Sequence, residues 1–266
     1  ELGRTDMILK VKEKLAGYKI GDRSIYRELL GPLIKPNFMY SRLMMEPPLK
    51  AKELESYNIG SNDENEVIIY DTPNEVTRIY HIQPEEFLLS DKEYELLNSA
   101  REILARHKPK EEEFTDPLRM RTIFYKIGRD LLHEIAQTRG IKMSFKKLEK
   151  LAGILVRLTI GFGLIETLLQ DERLEDVYIN PPIGKVPIII KHADWGELRT
   201  NIIPNIMDVR AWVSRFRMLS GRPLDEAHPV LDTELITPES RARAAIIQRP
   251  LSSEGYGFAF RKHRPR

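Results

Sequence analysis

Residues 177–221 read VYINPPIGKVPIIIKHADWGELRTNIIPNIMDVRAWVSRFRMLSG, and the changing hydrophobic period along them decides the fold class. Short β-rich runs at 177–180 and 187–191 predict strands. Asn205 is a good helix N-cap residue, and apolar side chains recur every three or four positions from there to Gly221. Strands followed by an amphipathic helix predict an α+β fold in which a largely antiparallel sheet has a helix packed on one face.

The N-terminal half of the chain predicts a helical region with a β-hairpin. Two β-rich runs within residues 66–80 flank a turn at hairpin spacing. Ser90 begins a capping box that opens one helix, and Pro117 suits the first position of a second helix. Ser144 begins a third helix, so the last two helices should pack as an antiparallel hairpin.

Composition excludes several classes of site. The 266 residues include no cysteine, which rules out disulfides, Cys-ligated zinc, iron–sulfur clusters and a thiol nucleophile. The six histidines are scattered without ligand-like spacing, so we expect no metal site. No run approaches the roughly 18 uninterrupted apolar residues of a membrane span.

The charge of the chain is unevenly distributed. The net charge is +2, but residues 241–266 contain seven basic residues and one acidic residue. Such a basic end either meets an anionic partner or is a solvated tail.

Nucleotide-binding and catalytic motifs are absent from the sequence. No glycine-rich loop ends in Gly-Lys-Ser or Gly-Lys-Thr, and neither Gly-x-Gly segment has the third glycine of a dinucleotide fingerprint. No nucleophile-elbow context surrounds any serine. We therefore predict that this chain contains no catalytic residues.

The segment EGYGFAFR, residues 254–261, is similar to the first ribonucleoprotein motif of RNA-recognition domains. Four consecutive positions match, but the opening basic residue and the last aromatic ring of the motif are missing. One interpretation is an RNA-binding module that uses this basic, aromatic strand. The other is a strand whose Tyr256, Phe258 and Phe260 share one face and pack in the core.

Five segments from residue 155 onward occur in an order known from one protein family: LVRLTIGFGLIETLL (155–169), LEDVYIN (174–180), SGRP (220–223), PVLD (229–232) and FAFRK (258–262). They resemble the type II and type IV secretion ATPase superfamily, most closely its archaeal secretion, pilus and archaellum branch. Leu164 and Thr167 stand where this family usually has proline. Pro238 and Glu239 replace the usual Asp-Gly before a Ser-Arg pair.

The resemblance implies a domain organisation and a role. Residues 1–156 would be a helical and hairpin region that docks the motor to its apparatus. Residues 157–266 would be a PAS-like α/β sandwich domain that precedes a RecA-like ATPase domain. The sequence has neither a Walker A nor a Walker B motif, so the chain itself would not be an enzyme and would hold no cofactor. The full-length parent would hydrolyse ATP with Mg²⁺.

The resemblance also implies partners and a location. The chain would act as a regulatory and assembly region of a hexameric motor. It would contact its own C-terminal ATPase domain, neighbouring subunits of the ring and a polytopic membrane platform protein, but no nucleic acid. It would be cytoplasmic and peripheral at the inner face of the cell membrane.

In this family, arginines of the N-terminal domain approach the nucleotide phosphates, and the resemblance assigns that role to Arg241, Arg261, Arg222 and Arg243. A guanidinium is always charged and can fork onto phosphate oxygens. Arg241 and Arg261 are favoured because both lie in family-like segments and in the basic end of the chain.

Each arginine also has a purely structural alternative. Arg222 follows Gly221 and could neutralise a helix C-terminus. Arg241 and Arg243 share a strand face and could form surface ion pairs with Glu234 or Glu239. Three basic residues could simply be a basic linker: Arg261, Lys262 and Arg264.

Overall fold

A computed structural model describes residues 41–48, 50–61, 64–73, 76–106 and 117–263. All of them lie in one compact unit, Met39–Arg266. Residues 1–40 of the predicted docking region and Arg264 lie outside the described residues. Runs of strands and runs of helices follow one another along the described part, so the predicted α+β class is confirmed.

The helices begin and end close to the predicted signals. Asn205 caps α5 by accepting a hydrogen bond from the backbone N–H of Met207 at 2.9 Å, and Gly221 ends this helix with φ 65°. Ser90 and Glu93 form the expected capping box at the start of α1. The five α-helices are α1 (Asp91–Arg106), α2 (Pro117–Thr138), α3 (Phe145–Thr159), α4 (Leu164–Gln170) and α5 (Ile206–Ser220).

Four of the described strands precede α1 and seven follow α4. They are β1 (Arg42–Leu43), β2 (Lys52–Ile59), β3 (Asn65–Asp71), β4 (Ile79–Gln83), β5 (Leu174–Ile179), β6 (Ile189–His192), β7 (Gly196–Thr200), β8 (Ile202–Ile203), β9 (Val230–Ile236), β10 (Arg241–Ile247) and β11 (Gly257–Lys262).

Nine of the described strands form one sheet in the order β2-β3-β4-β7-β6-β5-β11-β10-β9, and β1 pairs separately with β8. The contact between β4 and β7 is parallel, whereas the other pairs in the nine-stranded sheet are antiparallel. The sheet therefore includes strands from both sides of the predicted domain boundary between residues 156 and 157. That boundary and the PAS-like assignment stay predictions.

Helix α5 packs against one face of the sheet, as the sequence predicts. The ring of Trp212 lies 6.4 Å from that of Phe258, and the ring of Phe216 lies 6.0 Å from that of Phe260. All four side chains are buried, and removing one such ring from water contributes roughly 1.5–3 kcal/mol. This packing leaves the opposite face of β10 and β11 directed away from α5.

The apolar stripes of α1 and α2 are only partly buried. Leu96 and Leu97 of α1 are fully buried, as are Met120 and Phe124 of α2 to within a few per cent. However, three isoleucines that continue the same helical period are exposed: Ile103, Ile123 and Ile127. The apolar stripe is wider than the contact that each helix makes with its neighbours among the described residues.

Candidate functional site

The register of β10 and β11 brings the predicted arginines onto one face of the sheet. Arg243 lies directly opposite Arg261 on the neighbouring antiparallel strand, and Arg241 lies two residues along β10 on the same side. Ala242 and Ala244 alternate with these arginines and are fully buried on the side of α5. The arginines therefore face solvent on the side of the sheet that α5 does not cover.

Charged residues continue this row across six strands. Directly paired positions place Arg243 opposite Glu234, and Arg261 opposite Asp176. The row continues through Lys191 on β6 and Glu197 on β7. Signs alternate along the row except where two arginines meet, and like charges directly opposite each other in a sheet are destabilising. The structure balances each of these two arginines with a carboxylate of its own.

Asp232 on β9 is the partner of Arg243. The Arg243 Nε donates to Asp232 Oδ1 at 2.9 Å, and its Nη2 donates to the other carboxylate oxygen. These hydrogen bonds hold the pKa of Asp232 below its usual range. The pair is exposed, with 66% of the Arg243 side chain and 43% of the Asp232 side chain accessible.

The expected ion pair of Arg243 therefore exists, but with a different acid. Glu234 is directly opposite Arg243, yet the fork closes on its diagonal neighbour Asp232. Glu239 instead accepts a hydrogen bond from Ser61 at 2.5 Å. Diagonal neighbours in a sheet are within reach of a long side chain, which explains why register alone did not identify the partner.

Arg261 is held by a buried carboxylate. Its Nε donates to Asp176 Oδ1 at 2.9 Å. Only 6% of the Asp176 side chain is accessible, whereas 76% of the Arg261 side chain is accessible. The buried acid thus fixes the Nε end of the guanidinium group, while most of the arginine side chain remains exposed.

Arg222 lies at the edge of the sheet rather than folding back onto helix α5. Its Nη1 donates to the backbone carbonyl of Asp232 at 3.3 Å. The SGRP and PVLD segments therefore meet through Arg222 and Asp232, which are ten residues apart in the sequence. This contact brings a fourth arginine to the edge of the sheet beside Arg243.

Arg241 differs from the other three arginines in its contacts. The residue is exposed, and within the described ranges no side chain is hydrogen-bonded to its guanidinium. Its backbone carbonyl accepts the N–H of His263 at 2.9 Å, which extends the pairing of β10 and β11. The alternative ion pair with Glu234 or Glu239 is not formed.

The position of Lys262 contradicts the interpretation that this residue belongs to a basic linker. It is the last residue of β11, and its Nζ donates to the backbone carbonyl of Asp171 at 2.7 Å. Burial lowers the pKa of this amine. Lys262 therefore anchors the end of β11 and points to the opposite side from Arg261, as alternation along a strand requires.

The aromatic strand packs in the core. Phe260 is fully buried and Phe258 is 3% exposed, while Tyr256 is partly buried against the same core. Stacking on a base needs accessible rings, and these two phenylalanine rings are covered by α5. The packing interpretation of this segment is confirmed for Phe258 and Phe260.

The LVRLTIGFGLIETLL segment forms the joint between α3 and α4. Glu166 accepts the backbone N–H of Phe162 at 2.7 Å and pairs with Arg121 of α2. Arg215 of α5 donates to the carbonyl of Gly161 at 2.5 Å. A Cβ added at Gly161 would lie 2.5 Å from Glu166 Oε1, so the close approach requires glycine there. Sequence reasoning did not identify these contacts.

A large cleft among the described residues is not lined by the four arginines. It is a cleft of about 1260 Å³ between α2, α3 and the turn that joins β9 to β10. Its most buried charges are already paired, since Arg157 donates to Glu85 and Arg121 pairs with Glu166. The cleft is thus mixed in charge and does not include any of the four arginines.

The described ranges lack both a cluster of metal ligands and a single helix that could span a membrane. There, no group of three or more His, Asp and Glu side chains comes together in a way that could hold a metal ion. Also in these ranges, no single helix has the length and apolar composition of a membrane span, and α3 and α4 reach it only when joined across a 116° bend.

Comparisons with known proteins give distant relatives. No family model matches the chain. It is similar to three uncharacterized proteins of Methanocaldococcus jannaschii: MJ0900 (29% identity; 46% of this chain and 21% of that protein), MJ1288 (24%; 75% and 76%) and MJ0781 (35%; 29% and 11%). The chain thus spans about a fifth of the length of MJ0900 and three quarters of that of MJ1288.

Among solved structures, part of the chain is similar to the VirB11 ATPase of the Brucella suis type IV secretion system, determined in complex with sulphate. The TM-score is 0.29 with 18% identity, and the superposition covers 37% of this chain and 28% of VirB11. A similarity of this size supports no conclusion about fold or function.

Proposed function

We propose that this chain is a regulatory and assembly region of a hexameric secretion or pilus-type motor ATPase, and that its arginine-bearing sheet face contacts the nucleotide phosphates. The motif resemblance supports the family, and one observation supports the role. Arg241, Arg243 and Arg261 lie side by side on the face of the sheet that α5 leaves open.

The geometry fits a phosphate better than it fits other ligands. Arg241 has an exposed guanidinium with no side-chain partner in the described ranges, and Arg261 is exposed but oriented by Asp176. Guanidinium groups take phosphate oxygens through paired N–H donors. The described residues offer no carboxylate cluster for Mg²⁺, so the metal and the phosphate-binding loop would belong to a separate ATPase domain.

The remaining roles follow from the same resemblance. The region before residue 157 would dock the motor to a polytopic membrane platform, and the protein would work in the cytoplasm at the inner face of the membrane. Neighbouring subunits and the ATPase domain would contact the arginine face. Movement of that face toward or away from the nucleotide would then report whether a γ-phosphate is present.

The test is ATP turnover by the whole protein of which this region is part. We expect Arg241→Ala to lower kcat by about 10- to 1000-fold while leaving the thermal midpoint nearly unchanged, because a contact to a transferring phosphoryl group affects rate far more than fold. Arg210→Ala is the matched control, since Arg210 is an exposed arginine on α5, on the other side of the sheet.

Arg261→Ala should lower kcat similarly but will also leave the buried Asp176 without its partner. The double variant Asp176→Asn with Arg261→Ala removes that unpaired charge and should restore the thermal midpoint without restoring kcat. The proposal is wrong if Arg241→Ala and the double variant turn over ATP like Arg210→Ala. It is also wrong if the whole protein has no phosphate-binding loop after this region.

A further inference from the structure

Two of the arginines on the open face differ in how their carboxylates hold them. Asp176 is buried and contacts Arg261 through Nε. Asp232 is exposed and takes both Nε and Nη2 of Arg243. Those two donors form a side-on fork, which is the same fork that a guanidinium offers to a phosphate. Asp232 therefore occupies one of the two edges through which Arg243 can bind a phosphate.

We propose that Asp232 is a displaceable counter-ion of Arg243, which holds the guanidinium in the absence of ligand and yields it to a phosphate group. This inference rests on the proposed function, because it concerns the regulation of the same arginine face. Arg241 and Arg261 would meet the phosphate first, and Arg243 would join them only after leaving Asp232.

The energetics favour exchange at Asp232. An exposed ion pair contributes little to stability, since both partners keep most of their hydration. A phosphate dianion has more charge than one carboxylate and accepts the same paired hydrogen bonds. It would also sit between Arg243 and Arg261, whose like charges face each other directly across the two strands. An anion between the two guanidinium groups reduces their mutual repulsion directly. Asp232 and Asp176 reduce it only from the outer side of each arginine.

Arg222 is the cation that stays beside the Asp232 carboxylate after Arg243 has left it. Its Nη1 contacts the backbone carbonyl of Asp232, and its charge lies close enough to help lower the pKa of the Asp232 carboxyl. Once Arg243 leaves, the Asp232 carboxylate still has this second cation beside it. The acid thus does not become an unpaired charge when the exchange occurs.

The test measures anion binding by the 266-residue chain itself. Inorganic triphosphate is titrated at low ionic strength by calorimetry, and its site is followed by the shifts of the arginine side-chain NMR signals. We expect Asp232→Asn to tighten binding about two- to fivefold, because the exposed pair no longer competes for Arg243. Adding Arg243→Ala to that variant should cancel the gain.

Glu234→Gln is the matched control for net charge. Glu234 lies on the same strand and the same face, is exposed, and makes no hydrogen bond to Arg243. It should change the affinity for triphosphate less than Asp232→Asn does. Equal effects of the two variants, or no binding by either, would overturn the counter-ion role.

The outcome is separable from that of the proposed function. If Asp232→Asn binds triphosphate more tightly but Arg241→Ala does not change ATP turnover by the whole protein, then the exchange is real and the motor role is wrong. If turnover depends on Arg241 while Asp232→Asn and Glu234→Gln behave alike, then the motor role stands without the exchange.

Discussion

Two arginine–carboxylate contacts in this molecule have the same chemistry in opposite surroundings. Arg157 of α3 donates to Glu85 at 3.1 Å and to Glu86 at 3.0 Å, and its side chain is 9% accessible. Arg243 forms its fork with Asp232 at the surface, with 66% of the side chain accessible. The difference shows which ion pairs fix the fold and which are free to exchange partners.

Burial determines the consequence of breaking each contact. Removing one member of a buried pair strands a charge in a medium that solvates it poorly, which is strongly destabilising. Water takes over the role of the lost partner at an exposed pair. The Arg157 cluster thus fastens α3 to the turn after β4, whereas the exposed ion pairs of the arginine face can be broken with little effect on stability.

The largest expected effect is at Arg157. Changing Arg157→Met keeps most of the side-chain volume but leaves Glu86 without a cation and Glu85 with only Lys150, at 3.1 Å. We expect the free energy of unfolding to fall by about 3–5 kcal/mol, measured by urea denaturation at pH 7. The triple variant in which both glutamates are also changed to glutamine should recover part of this loss. The contrast between the two regions is wrong if Arg157→Met lowers the free energy of unfolding no more than the removal of an exposed arginine does.

A second buried polar contact joins the N-terminal strands to the C-terminal half. Tyr57 of β2 and Tyr80 of β4 both donate to the carboxylate of Asp171, at 2.8 and 2.9 Å. His192 of β6 places Nε2 at 3.1 Å from the Tyr57 hydroxyl, and its Nδ1 accepts two backbone N–H groups of the following turn. Because Nδ1 is an acceptor here, the folded state requires a neutral ring.

This arrangement predicts a medium effect that depends on pH. Burial lowers the pKa of His192 below its usual 6.5; Asp171 opposes that shift and Arg173 adds to it. The unfolded chain therefore takes up a proton as the pH falls through about 6.5 while the folded ring stays neutral, so stability declines below that pH. His192→Asn keeps an acceptor near Nδ1 and should flatten the decline by up to about 1.4 kcal/mol per pH unit.

Thermal unfolding between pH 7.5 and pH 5 measures this slope. His81 is also buried, and burial lowers its pKa too, so the His192→Asn variant should retain part of the pH dependence. An unchanged slope in His192→Asn would mean that the ring is protonated in the folded state at these pH values.

Local signals predicted the elements better than they predicted the contacts. The Asn205 cap, the Gly221 terminator and the capping box at Ser90 are encoded within a few residues, and all three were found where the sequence indicated. Strand β2 was missed because its sequence, KELESYNI, is that of a charged edge strand with a bulge and has little hydrophobic pattern. Strand β4, which pairs with β3, begins at Ile79 and ends at Gln83, three residues beyond the predicted β-rich run.

The candidate site was predictable as a set of residues but not as an arrangement. Alternation along a strand predicts that Arg241 and Arg243 share a face. It does not predict that Arg261 lies directly opposite Arg243, because that depends on the register of two strands joined by a long turn. Nor does it distinguish Asp232 from Glu234 as the partner of Arg243, or identify the backbone carbonyl of Asp171 as the partner of Lys262.

The smallest expected effect is on the thermal midpoint when the exposed pair of Arg243 and Asp232 is removed, and it tests the comparison most directly. Arg243→Ala and Asp232→Asn, singly and together, should each shift the thermal midpoint by no more than about 2–3 °C, because the pair is exposed. The double variant should be close to the sum of the singles, and raising the salt to 1 M should remove what coupling remains, since exposed charges are screened at that ionic strength. A cycle with large, salt-resistant coupling would mean that Asp232 holds Arg243 as firmly as Glu85 and Glu86 hold Arg157. In that case a phosphate could not displace the carboxylate, and the open face would be as fixed as the buried joint.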